Sequence, residues 1–127
     1  MYAAQVQQRH GTSRHVEFVR GSSLSTSVME RAHRAAKGVD RVMVVLDSWH
    51  SYKHVTRELE AYHDLVTPGQ YLVVQDTKLD RLRGRPSAMA AVRWFMTTAP
   101  GAARFRTDRT REYLLYSQHS EGYLRRI

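Results

Sequence analysis

VMVVLDSWHSYKH, residues 42–54, runs through five apolar residues, stops at an aspartate and places two histidines four apart behind it. An unbroken apolar run, rather than an alternating one, marks a strand covered on both faces by helices. RVMVVL (41–46) is therefore expected inside a largely parallel sheet. Ligands of open α/β sheets bind beyond the carboxyl ends of the strands, so the residues just past such a strand are candidates for a site. The cluster has two readings: a strand-to-helix turn in which Asp47 or a serine caps the next helix, or part of a site.

The flanking sequence alternates regularly. HVEFV (15–19) reads as a strand running into the loop GSS. In SVMERAHRAAKG (27–38), Ser27 and Glu30 have capping-box spacing, Val28, Ala32 and Ala35 share a face, and Gly38 is a natural stop. Downstream, Tyr52, Val55, Leu59, Tyr62 and Val66 recur at helical spacing, and Pro68-Gly69 turns the chain into the strand YLVVQ (71–75). TKLDRLRGR (77–85) reads as a loop, Pro86 suits a first helical turn, and Met89, Val92, Phe95 and Met96 stripe the helix after it. ARFRTD (103–108) and REYLLYS (111–117) read as an antiparallel hairpin. The order is that of a doubly wound α/β domain: a Rossmann-like sheet with helices on both faces and a C-terminal antiparallel hairpin.

Bulk properties narrow the classes. A length of 127 residues means one domain, and 42% hydrophobic with 25% charged residues is a globular balance. The longest apolar run is far short of a bilayer span, and MYAAQVQQRHG has no signal-peptide core, so a cytoplasmic protein without a membrane partner is expected. With no cysteine, thiolate metal sites and disulfides are excluded. The net charge of +8 would suit nucleic acid, but the densest basic stretch, KLDRLRGRP (78–86), contains Asp80 and no aromatic side chain for base stacking. A solvated arginine-rich surface is the expected reading, not a nucleic-acid interface.

Right-handed crossovers set the ends of strands 42–46 and 71–75 side by side, which makes Asp47 and Asp76 neighbours. LDS and QDT are parallel phrases: apolar run, acid, hydroxyl residue. Two converging carboxylates suit Mg²⁺, whereas acids after strands also serve simply as helix caps and turn formers. HSYKH lacks the glutamate of a HExxH zinc site.

Taken together, VMVVLDSWHSYKHVTRELEAYHDLVTPGQYLVVQDT (42–77), GRPSAMAAVRWF (84–95) and REYLLYSQHSEGYLRRI (111–127) resemble the cephalosporin hydroxylase and rhamnosyl O-methyltransferase family. Its usual phrases are LDS-x-H-x-x-x-HV-x-x-EL-x-x-Y, LV-x-x-G-x-YLVVEDT, a GP-x-x-AV-x-x-F helix start and a terminal GYL with basic residues after it. The resemblance covers about residues 14–127. It implies a Rossmann-type, S-adenosylmethionine-dependent, metal-assisted methyl transfer to the hydroxyl of a sugar or other small molecule.

Carried over, the resemblance assigns Asp47, Gln75 and Asp76 to metal, Gly21, Ser22, Ser23 and Asp47 to the cofactor, and His50 to the general base. The alternative for His50 is a helix-start residue bonded to backbone, and for His54 a structural role is expected. Gln75 stands where the family has Glu, which removes one anionic ligand and weakens the Mg²⁺ expectation. Trp49 replaces a small or acidic residue and either packs over a ligand or covers the helix start. The glycine-rich loop and the acidic second-strand end of such methyltransferases are missing, and the two strands carrying them would lie between 15–19 and 41–46 in the sheet. The expectation is an incomplete domain whose apolar edge strand is uncovered, belonging to a longer enzyme. The alternatives are a remnant module that forms homo-oligomers and a small basic nucleic-acid-binding protein.

Overall fold

The computed structural model describes residues 16–112 and 117–127. In chain order the elements are α1 (Thr26–Ala36), β1 (Val44–Leu46), α2 (Tyr52–Tyr62), β2 (Tyr71–Val74), α3 (Leu79–Arg83), α4 (Ala88–Phe95), α5 (Ala99–Arg104), β3 (Phe105–Thr107) and β4 (Tyr123–Arg126). Short 3-10 turns at His63–Leu65 and Arg109–Arg111 close the α2 and β3 segments.

β1, α2 and β2 form the parallel unit on which the rest is assembled. α2 starts because Ser51, in extended conformation, accepts the His54 N–H on its hydroxyl at 3.3 Å. Its inner stripe is Val55, Leu59 and Tyr62, with Glu58 buried on the same side. The chain returns to the sheet through a turn in which the Gln70 N–H donates to Thr67 O at 3.0 Å and Gly69 has φ +82°. A type II turn needs that positive angle after its proline, which is the role of Pro68-Gly69.

The sheet order is β1-β2-β4-β3. β1 and β2 are parallel, with Val44 opposite Leu72 and Leu46 opposite Val74. β4 runs antiparallel to both β2 and β3, with Leu124 opposite Leu72 and Thr107. Leu46, Leu72, Val74, Phe105 and Leu124 thus share one face and meet Val55, Leu59, Val92 and Phe95 of the helices in a single core. Phe95 and Phe105 cross edge-to-face at 5.6 Å, and burying each ring is worth about 2–3 kcal/mol. Ala88 and Ala91, both fully buried, leave room for α2 to lie against α4. The Arg126 guanidinium closes the end of β4 by donating to Val66 O and, at 3.1 Å, to Asp64 O, two carbonyls left over where α2 stops.

The fold is mixed α/β and Rossmann-like, and it departs from the sequence expectations in several places. Residues 16–19 are not a strand; they lie outside the sheet, where Val16, Phe18 and Val19 are exposed. Among the described residues β1 lies at the sheet edge rather than inside it, the position the incomplete-domain expectation gives it, and Met43 and Val45 are exposed. α1 begins at Thr26 after Ser25, two residues too early for Ser27 and Glu30 to act as a capping box. Within TKLDRLRGR the described backbone forms the short helix α3, ended by Gly84 at φ +60°. β3 does sit in a hairpin-like antiparallel pair, but its partner is Tyr123–Arg126. The expected second strand REYLLYS falls largely on 113–116, outside the described residues.

Candidate active site

β1 and β2 end together, because Leu46 O accepts the Gln75 N–H at 2.9 Å. Asp47 and Asp76, just beyond, therefore leave the sheet on the same side, as the paired strand ends require. His50 enters from the start of α2, with Nε2 3.3 Å from Asp47 Oδ1 and 3.7 Å from Asp76 Oδ2. One ligand atom of each of the three lies within 4.8 Å of the others. Nε2 itself is buried and makes no hydrogen bond among the described residues. The nearer carboxylate is misaligned with the ring and the farther one is beyond bonding distance, so neither makes a hydrogen bond to it.

Each member is held by main-chain contacts. His50 O accepts the Ser87 hydroxyl, and Ser51 bridges to Ser87, which pins the α2 start against the entrance of α4. Asp76 adopts φ +54°, a left-handed conformation that Asp and Asn tolerate better than other side-chain-bearing residues. Its N–H donates to His119 Nδ1 at 2.9 Å, which leaves the His119 proton on Nε2. Thr77, fully buried, donates to Ser120 O at 2.6 Å, so QDT is locked to the segment before β4.

Behind the triad lies a second polar group. Glu58 is only 2% exposed; its Oε1 accepts the Ser48 hydroxyl at 2.8 Å and lies 3.4 Å from His54 Nε2, and its Oε2 has no partner among the described residues. Burial, and then the Glu58 charge, raise the Tyr62 phenol above its ordinary pKa, so it stays a donor, and it donates to Ser23 O. His54 Nε2 also lies 3.3 Å from Ser23 Oγ. The 21–23 loop is thereby fastened to α2, and a cleft of about 340 Å³ opens between Ser23, Asp47, Ser48, Glu58 and Tyr62.

The structure thus brings Asp47, His50 and Asp76 together and sets Ser23 across a cleft from Asp47. Gly21 and Ser22 have local duties: Gly21 has φ +145° with Val28 close by, and Ser22 O accepts the N–H and hydroxyl of Ser25 in the turn into α1. Gln75 contributes its N–H to the strand tie described above. His54 bridges Ser23 and Glu58, as a structural histidine does. Trp49 is 74% exposed, so it covers little of the helix start. Sequence reasoning does not single out Glu58, Ser87 or His119. Glu58 is within its reach, four residues after His54 on one helix face, whereas Ser87 and His119 come from segments with no local signal.

The sequence profile of the family described as Rhamnosyl O-methyltransferase/CmcI matches residues 2–127. The rhamnosyl O-methyltransferases of Mycobacterium bovis (strain BCG / Pasteur 1173P2) and Mycobacterium tuberculosis (strain ATCC 25618 / H37Rv) are each 33% identical to this chain over 66 residues, 51% of this chain and 27% of theirs. That of Mycobacterium leprae (strain TN) is 33% identical over 64 residues, 50% of this chain and 28% of its own length. The matched stretch spans about a quarter of the curated relatives. No solved structure matches. Since the profile runs through almost the entire sequence, site phrases included, the chain belongs to the rhamnosyl O-methyltransferase/CmcI family.

Proposed function

We propose that this chain carries the metal and acceptor side of an S-adenosylmethionine-dependent O-methyltransferase acting on a small-molecule hydroxyl. The observation that supports it best is the convergence of Asp47, His50 and Asp76 at the ends of two parallel strands. The residues fit a hard divalent cation. Asp47 and Asp76 bring two carboxylates, the ligand type such an ion prefers, to within 4.8 Å of each other and of His50. Asp47 and Asp76 would hold Mg²⁺, with the Gln75 amide oxygen as a neutral donor. When bound, the ion makes the acceptor hydroxyl more acidic and S-adenosylmethionine supplies an electrophilic methyl group. His50 takes the hydroxyl proton, since its unpaired Nε2 faces the space between the carboxylates. The cleft bordered by Ser23 and Asp47 receives the cofactor. No helix among the described residues is long and apolar enough to cross a membrane, and the reading is of a cytoplasmic enzyme.

Calorimetric titration with S-adenosylmethionine, with and without Mg²⁺, tests the cofactor role; a folded chain that binds neither alone nor together speaks against it. Mn²⁺ titration followed by electron paramagnetic resonance tests the metal role. Asp47→Asn and Asp76→Asn should each weaken Mn²⁺ at least about tenfold by removing an anionic ligand. Unchanged affinity in both variants would sink the assignment.

A second reading, a self-associating module, is favoured by one observation: among the described residues β1 presents an unpaired edge with Met43 and Val45 exposed.

A further inference from the structure

We propose that a cavity between the α2 start and the α3–α4 connection is the acceptor subsite, and that it selects an acceptor bearing an anionic group beside the hydroxyl to be methylated. The cavity measures about 190 Å³ and is bordered by Trp49, His50, Tyr52, Arg83, Arg85 and Ser87. His50 belongs to it and to the Asp47/Asp76 triad alike, so the cavity adjoins the proposed base.

Arg83 and Arg85 make no ion pair or hydrogen bond among the described residues, unlike Arg31, Arg93 and Arg109, each of which pairs with a glutamate. The nearest acid in their own segment is already committed. Asp80 accepts the N–H groups of Ser87, Met89 and Ala90 at 2.7, 3.1 and 3.0 Å, closing the N-terminus of α4. Gly84, in left-handed conformation between the two arginines, reverses the chain so that both border the same cavity. Two planar guanidiniums without a carboxylate are suited to bidentate capture of a carboxylate or phosphate. Trp49 borders the same cavity, and its large exposed indole can lie against the C–H face of a sugar or another flat ring. Anion, ring and hydroxyl then have separate seats, at the arginines, the indole and His50.

The acceptor role rests on the methyltransferase reading; anion capture does not. The test is a titration of the ¹⁵N-labelled chain with p-nitrophenyl glucuronide, glucose 6-phosphate and the neutral p-nitrophenyl glucoside, followed at the Trp49 indole N–H and the arginine Nε–H signals. Tighter binding of one or both anions than of the glucoside, by about tenfold or more, is expected. The preference should shrink with added salt and vanish in Arg83→Gln/Arg85→Gln. Equal or absent binding of all three probes, or a preference that survives the double substitution, overturns the proposal. Should the double variant not fold, the ratio between anionic and neutral probes and its salt dependence in the unaltered chain decide alone. Anion preference in a chain that binds no Mn²⁺ at Asp47 and Asp76 would sink the metal-assisted reading and leave the anion site standing.

Discussion

Asp76 combines two demands in one residue: a carboxylate aimed at His50 and a backbone at φ +54°. Left-handed backbone costs an ordinary side-chain-bearing residue about 1–2 kcal/mol, while Asn and Asp bear it with less strain through local hydrogen bonding. Asp76→Ala should therefore lower stability by about 1 kcal/mol in urea denaturation, and Asp76→Asn by less than half of that, although both remove the anion. Equal losses would mean that the carboxylate, not the backbone angle, supports the fold. The position of Asp47 and Asp76 is legible in the sequence because apolar runs end visibly and parallel strands finish at one edge. The left-handed backbone at Asp76 is not, and neither is the hydrogen bond of its N–H to His119, 43 residues away. Long-range hydrogen bonds leave no periodic trace in sequence.

Among the elements, the long apolar ones are legible and the short ones are not. α2 and α4 follow from stripes at helical spacing, because their stability comes from an amphipathic face. α3 has five residues and a mostly solvated surface, so its KLDRLRGR sequence looks like any charged loop. Its function within the fold is to present Asp80 to α4, whose own Ser87 makes no side-chain cap. Asp80→Ala should cost about 1–2 kcal/mol in urea denaturation, and a change below a few tenths would show that water replaces the cap. β4 is hidden because GYLRR alternates over too few residues to declare a strand. Its Gly122 is nonetheless fixed by packing: a Cβ there would stand 2.2 Å from Val74 O. Gly122→Ala should therefore displace β4 from β2, and circular dichroism with amide exchange at Leu72 and Leu124 would register it.

For the whole molecule, pH and assembly are the two levers. His63 packs against Phe95 and Phe105 at 5.6 and 6.5 Å. Burial lowers its pKa below the ordinary 6.5, with Asp64 opposing and Arg104 and Arg126 reinforcing the shift. The unfolded chain then takes up the proton more readily than the folded one, so stability is full above pH 6.5 and declines as pH falls from there toward the folded pKa. His63→Gln should flatten the urea midpoint between about pH 7.5 and 5 relative to the unaltered chain; an identical slope would place the titration elsewhere. Assembly turns on β1. Val42 O and Leu46 O both face β2, accepting from Thr67 and Gln75, so the main-chain groups of Met43 and Val45 point away from the sheet. An antiparallel pairing of two copies about Val44 would set Met43 opposite Val45 and Arg41 opposite Asp47, matching apolar with apolar and cation with anion. The second reading of function therefore predicts a particle of twice 14.7 kDa in light scattering. Val45→Lys, a charge on an edge strand, should return it to the single mass without unfolding it. A wild-type chain that stays at the single mass across concentrations would exclude that reading and leave β1 as an edge that no second copy covers.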